Sequence, residues 1–134
     1  MRSLLAFVVL AGLALAPPML HAYAKHPERS YELRPGQSAD LGAGVQLVFD
    51  TVISDSRCPV DVRCVWAGEA KLNFILHRSG AEPTPFVLAT LQVVEVEIAR
   101  WRIKLVQLLP PRHSGDGAKP LDYRATISVI AGSH

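Results

Sequence analysis

The stretch Ala70-Lys71-Leu72-Asn73-Phe74-Ile75-Leu76-His77 decides the fold class, because strongly apolar side chains recur in it at every second position. In an extended chain this period places Leu72, Phe74 and Leu76 on one face, whereas an amphipathic helix would repeat them about every 3.6 residues. The stretch is therefore interpreted as a β-strand with one face in a hydrophobic core.

Three other long segments show the same alternation, and four shorter candidates lie between them. The long segments are 45–53, 101–109 and 123–130, and the shorter ones are 31–34, 38–41, 86–89 and 91–98. Glycine- and proline-containing turns interrupt the chain about every ten residues, which is typical of β-sandwiches and barrels. The sequence predicts an all-β fold, a single antiparallel β-sandwich of about seven or eight strands with Greek-key-like connections. The side chains expected inside it are Phe49, Leu72, Phe74, Ile103, Leu105, Ile127 and Val129.

The first 24 residues have the features of a secretory signal peptide. Arg2 precedes an apolar run over 4–15, Pro17-Pro18 ends any helix, and Ala22-Tyr23-Ala24 matches the small-x-small cleavage pattern. We expect cleavage of this signal helix after Ala24, which leaves 25–134 as one domain with residues 25–30 as a disordered lead-in. The apolar run is shorter than the roughly 20 residues of a membrane span, so no span is expected after cleavage. The expected location is the periplasm or the extracellular space.

Charge and histidine placement exclude several classes of partner. Cleavage removes Arg2 from the chain's 14 basic residues and none of its 12 acidic residues, so the domain is close to neutral. Nucleic acid is therefore not expected as a partner, since it favours basic patches. The histidines of 25–134 are scattered over different segments, and no metal site or cofactor is expected. The partner expected is an envelope or extracellular protein, or a small ligand.

A polar loop at 55–70, here called the cysteine loop, contains the chain's two cysteines, Cys58 and Cys64. In an oxidising compartment such a close pair is expected to form a disulfide. Five intervening residues are too many for a Cys-x-x-Cys redox motif, and two cysteines are too few for structural zinc. Closing a ring of seven residues is worth about 2.4 kcal/mol in the chain-entropy model.

The cysteine loop is also the candidate binding surface, made of Asp55, Arg57, Trp66 and Glu69. A disulfide that holds charged and aromatic groups in place lowers the ordering cost of binding. Two simpler interpretations stay open from the residues alone. The charges of the loop can serve as local ion pairs and turn caps, and Trp66 can pack against the disulfide or the edge of the core.

No sequence pattern indicates catalysis. The nucleophile elbow, the zinc-protease helix motif and the phosphate-binding loop are absent. The adjacent His113-Ser114 lies in a second loop, 110–121, whose glycines and prolines are typical of a mobile connector, and no orienting acid is evident beside it. Glu95 and Glu97 share one face of a strand candidate, where alternation with valine favours a solvated face.

The cysteine loop contains two blocks, Asp55-Ser56-Arg57-Cys58-Pro59 and Cys64-Val65-Trp66-Ala67-Gly68-Glu69-Ala70. Leu33-Arg34-Pro35-Gly36 precedes them, and Leu109-Pro110 and Tyr123-Arg124-Ala125-Thr126 follow them. Together these blocks resemble a family of small exported bacterial proteins and lipoproteins. The resemblance spans nearly all of 25–134. It implies a bacterial envelope location and no particular activity, substrate or cofactor. The lipid-attachment cysteine of the lipoprotein members is missing here.

The function expected from the sequence is therefore a non-catalytic binding or interaction module that presents a disulfide-closed loop. Two alternatives belong to other classes. One is a small envelope enzyme, for which a deep cleft with convergent ionisable groups would be evidence. The other is a protease inhibitor that offers the constrained segment from Arg57 to Arg63.

Overall fold

The computed structural model describes residues 26–133, so the predicted signal peptide lies outside the described residues. The described chain forms eight β-strands. They are β1 Glu28–Leu33, β2 Ser38–Gly42, β3 Val45–Asp55, β4 Ala70–Arg78, β5 Thr84–Ala89, β6 Glu95–Ile98, β7 Trp101–Leu109 and β8 Arg124–Ala131. One short 3-10 turn at Ser114–Asp116 interrupts the connection between β7 and β8. Within 26–133 no helix is long and apolar enough to cross a bilayer.

The strands form two four-stranded sheets, which confirms the predicted antiparallel β-sandwich. One sheet has the order β1-β8-β7-β6 and the other has the order β2-β3-β4-β5. Every pairing is antiparallel. Strands 2 to 5 and strands 6 to 8 follow one another as meanders, and β1 completes the first sheet beside β8. The first sheet has the expected Greek-key-like order, because β6, β7 and β8 are neighbours in sequence and β1, which β2 to β5 separate from β6, pairs with β8.

The core lies between the two sheets and contains all seven side chains that the alternation placed there. Phe74 is fully buried at its centre. Its ring stacks on Phe49 of the neighbouring strand at 4.8 Å between ring centroids and on Phe86 at 5.7 Å on the other side. Aromatic stacking adds to the free energy gained from burying apolar area.

The first strand begins earlier than expected, so the prediction of a disordered lead-in over 25–30 is wrong for its last three residues. Glu28 pairs with Ile130 and Leu33 with Ala125, which adds β1 to the edge of the sheet. Glu28, Arg29 and Ser30 are exposed. Main-chain pairing with β8 therefore orders this segment. Such pairing leaves no alternating pattern of side chains in the sequence.

The antiparallel order brings three loops to one end of the sandwich. Asp55 at the end of β3 pairs with Ala70 at the start of β4, and Lys71 pairs with Ala89 at the end of β5. The cysteine loop and the connection at 90–94 therefore share this end. The second loop joins them there, because Arg57 reaches the end of β7.

Replacing Phe74 by alanine is expected to lower the free energy of unfolding by about 3 to 5 kcal/mol, because a fully buried ring leaves a cavity. Val87 lies on β5 and is exposed, so Val87→Ala is the matched control and should cost less than about 1 kcal/mol. Urea titration followed by circular dichroism measures both. A loss below 1 kcal/mol for Phe74→Ala would contradict this core.

Candidate functional site

The predicted disulfide is present. Cys58 and Cys64 are bonded, with 5.9 Å between their Cα atoms, and the described residues contain no free cysteine. The loop begins as a continuation of the β3–β4 pair, since the amide of Ser56 donates to the carbonyl of Glu69 and that of Cys58 to Ala67, both at 2.9 Å. Main-chain hydrogen bonds therefore close the base of the loop, and the disulfide closes it further from the sheet.

Gly68 allows the two arms of the loop to meet. Its φ is +62°, a left-handed conformation that glycine adopts without a steric cost. A Cβ atom at this position would lie 1.7 Å from the carbonyl oxygen of Ser56. The turn predicted at Gly68 thus depends on glycine for its conformation and for the close approach of the backbone.

Asp55 and Arg57 form a two-pronged ion pair at the base of the loop. Nε and Nη2 of Arg57 each donate to one carboxylate oxygen of Asp55, both at 2.8 Å. The Asp55 side chain is 3% exposed and that of Arg57 is 16% exposed. Such planar, charge-assisted pairs are stronger than single neutral hydrogen bonds. The pair favours the local ion-pairing interpretation of these charges.

Arg57 also connects the two sheets. Its Nη1 donates to the carbonyl of Leu108 at 3.0 Å, and its Nη2 donates to the carbonyl of Pro110 at 2.9 Å. Pro110 follows a cis peptide bond at the end of β7. A side chain of the cysteine loop, two residues beyond the end of β3, therefore holds the end of β7 in the other sheet.

Two further groups contact Asp55, one from the second loop and one from the residue that precedes β8. The Tyr123 hydroxyl donates to Oδ2 at 3.1 Å, and Nη1 of Arg112 lies 3.5 Å from the same oxygen. Burial raises the pKa of Asp55, but the hydrogen bonds and positive charge of Arg57 outweigh it, and the net pKa lies below the ordinary value. The carboxylate therefore stays ionised at neutral pH.

The pKa of the Tyr123 hydroxyl is shifted in the opposite direction, above its ordinary value. Burial raises the pKa of its hydroxyl, and the hydrogen bond to the Asp55 carboxylate raises it further. The tyrosine therefore remains a hydrogen-bond donor at neutral pH and in mildly basic solution. Its role here is to donate a hydrogen bond to the Asp55 carboxylate.

The second loop is attached to the cysteine loop, which differs from the mobile connector that we expected. The amide of Val60 donates to the carbonyl of Arg112 at 2.9 Å. Ser114 donates to the two oxygens of Asp61, its amide at 2.8 Å and its hydroxyl at 2.5 Å, and these bonds hold the pKa of Asp61 below its ordinary value. The glycines and prolines of 110–121 predicted a mobile loop. Instead, polar groups more than 50 residues away in the sequence attach this loop to the cysteine loop.

The four predicted binding residues have different surroundings. Asp55 and Arg57 are used by the ion pair, and the Glu69 side chain is 13% exposed, accepting a hydrogen bond from the amide of Gln92 at 3.2 Å. Trp66 is 82% exposed, so the expectation that it packs against the disulfide or the core is wrong. Of the four, Trp66 alone offers most of its side chain to a partner.

Three valines that sequence reasoning missed accompany Trp66 on the surface of the loop. Val60, Val62 and Val65 are all exposed, Val65 at 93%. Together with Trp66 they are called the apolar tip. The composition of the cysteine loop could have revealed them. Its valines stand among charged residues, and no alternating pattern there predicts that they are buried in the core.

Several polar groups beside the second loop contact one another. A cleft of about 540 Å³ beside the second loop is lined by Asp55, Arg112, Lys119 and Tyr123. Asp55 accepts from three of its neighbours, so the carboxylate serves structure. Ser114 donates directly to Asp61, whereas a hydrolytic triad requires a histidine between serine and acid.

Glu95 and Glu97 occupy a solvated face, as the alternation predicted. Both are exposed and lie 3.6 and 3.9 Å from Arg102 of β7. Exposed pairs of this kind contribute little to stability. Within residues 26–133, no three His, Cys, Asp or Glu side chains gather in a group that could hold a metal ion.

Comparisons of the chain with protein-family models, with curated proteins and with solved structures found no match. The interpretation of the site therefore depends on its own geometry.

Asp55→Asn should destabilise the protein most at neutral pH, by about 3 kcal/mol, because it leaves the buried Arg57 without its counter-charge. The folded state lowers the pKa of Asp55, so its stabilisation is present above the unfolded value of about 4 and is lost as pH falls through the folded value. The difference between wild type and Asp55→Asn should therefore narrow on acidification. Urea unfolding at a series of pH values measures it, and a constant difference would contradict an ionised Asp55.

Replacing Cys58 and Cys64 together by serine should lower the free energy of unfolding by about 2 to 3 kcal/mol with the fold retained, since the loss is mostly unfolded-state entropy. Reduction of the wild type should have the same effect. Thiol labelling before and after reduction confirms the bond state. Complete unfolding of the double variant would show that the ring does more than close a loop.

Proposed function

We propose that the protein is an exported, non-catalytic interaction module that binds a partner protein of the envelope or extracellular space through the apolar tip. The observation that carries the proposal is the exposure of Val65 and Trp66 on a loop that is fixed at its base. Exposed tryptophan in company with other apolar side chains is typical of binding surfaces.

The rigidity of the loop supports this proposal. Flexible loops lose conformational entropy when they bind, and a preorganised loop avoids much of that cost. The disulfide closes the ring, Asp61 is bonded to Ser114, and the main chain of Val60 is bonded to Arg112. The apolar tip is thus presented by a loop that is closed by a disulfide and attached to the second loop at two residues.

The distribution of exposed apolar groups also supports it. Among the described residues, every exposed large hydrophobic side chain lies in the half of the sandwich nearer the cysteine loop. Those outside the apolar tip are Ile53, Val87, Leu91, Val93 and Val106. An end with this composition favours protein partners over small ions.

Export is part of the proposal. The disulfide is the kind of bond that persists in oxidising compartments such as the periplasm or the extracellular space. This agrees with the secretory signal pattern at 1–24 and with the resemblance to exported bacterial proteins.

A protease inhibitor is the second candidate, and one observation favours it. Arg63 is exposed within the disulfide ring, as the specificity residue of an inhibitor of trypsin-like enzymes would be. Arg57, at the other end of the constrained segment, is held by Asp55 and is not available. Incubation with trypsin separates the two ideas, since an inhibitor lowers trypsin activity in an Arg63-dependent way and an interaction module does not.

Trp66→Ala should abolish capture of a partner from envelope extract while changing the free energy of unfolding by less than about 0.5 kcal/mol, because the side chain is exposed. Val106→Ala is the matched control, an exposed apolar residue on β7, and it should capture as wild type does. Immobilised proteins and mass spectrometry provide the measurement. Equal capture by wild type and Trp66→Ala, with both folded, would refute binding through the apolar tip.

A further inference from the structure

A small cavity opens between the sheets at the end of the sandwich opposite the cysteine loop. Its volume is about 200 Å³. The inner wall consists of Leu41, Trp101 and Val129, which belong to three strands of the two sheets and to the hydrophobic core. The cavity is larger than the roughly 150 Å³ engineered cavity that is known to bind benzene. It therefore has room for an aromatic ring or a short acyl chain.

The outer part of the same cavity is basic. Arg29 of β1 and Arg100, next to the start of β7, both line it, and no carboxylate side chain does. The guanidinium carbon of Arg100 lies 5.2 Å from the centroid of the Trp101 ring. Apolar walls and a cationic rim are complementary to a ligand with an apolar body and a negative end.

The backbone around Arg100 is constrained. Ala99 has a φ of +53°, a left-handed conformation that is uncommon for residues other than glycine. The amide of Gly132 donates to the carbonyl of Arg100, and a Cβ at Gly132 would lie 3.1 Å from that oxygen. These contacts fix the turn from which Arg100 projects, and its guanidinium lies over the Trp101 ring.

We propose that this cavity binds a small organic anion, an aromatic or short-chain carboxylate. The apolar body lies against Leu41, Trp101 and Val129, and the carboxylate lies at Arg29 and Arg100. The site is separate from the apolar tip, at the other end of the molecule, and it does not depend on the function proposed above.

The chain's two tryptophans make a direct test possible, since Trp66→Phe leaves Trp101 as the only indole. Phenylacetate added to this variant should change Trp101 emission in a saturable way. Phenylacetamide has the same shape without the charge and should bind at least about tenfold more weakly, which corresponds to about 1.4 kcal/mol. Acetate, which lacks the ring, should give no saturable change.

Arginine variants then locate the charge. Arg29→Gln and Arg100→Gln should each weaken phenylacetate binding by about tenfold in calorimetry, which does not depend on the emission of Trp101. Arg102→Gln is the matched control, an exposed arginine on β7, and should bind as the parent does. Equal affinity for phenylacetamide, equal loss in Arg102→Gln, or no saturable change in a folded Trp66→Phe protein would each overturn the proposal. Retained phenylacetate binding in Trp66→Ala separates this site from the apolar tip.

Discussion

The ion pair between Asp55 and Arg57 is the contact on which one end of this sandwich depends. Hydrophobic burial joins the two sheets along their inner faces, but it does not determine where the loops at the end lie. Arg57 does so by binding the carboxylate of Asp55 and two carbonyls at the end of β7, those of Leu108 and of Pro110 just beyond it. Because a charge removed from water needs partners on every side, Arg112 and Tyr123 are drawn to the same place.

The sequence predicts the strands and the core well because both depend on a local, repeated signal. Phe74 and Ile127 are buried, as their alternation requires, and the close spacing of Cys58 and Cys64 together with the secretory signal pattern predicted the disulfide. The roles of Asp55 and Arg57 could not be predicted in the same way. Their partners Tyr123 and Pro110 are 68 and 53 residues away in the sequence, and no periodic pattern of side chains predicts a contact over such a separation.

Trp66 shows a different limit of sequence reasoning. A tryptophan near a disulfide usually packs on it. That tendency is an average over proteins, whereas the exposure of Trp66 depends on the direction in which this particular loop leaves the sheet. The base of the loop follows β3 and β4, and the charged side chains at that base, Asp55, Arg57 and Glu69, turn toward the protein. The apolar residues point outward as a result, which reverses the usual arrangement of a surface loop.

The pairing of β1 with β8 brings the first and last strands together, with Glu28 beside Ile130. Both chain ends of the folded region therefore leave from the end opposite the cysteine loop. A carrier joined directly to either end of the folded region would therefore be attached on the side away from the disulfide ring. Because Pro27 and Ala131 line the cavity, that point of attachment lies beside the cavity and at the end of the sandwich away from Trp66.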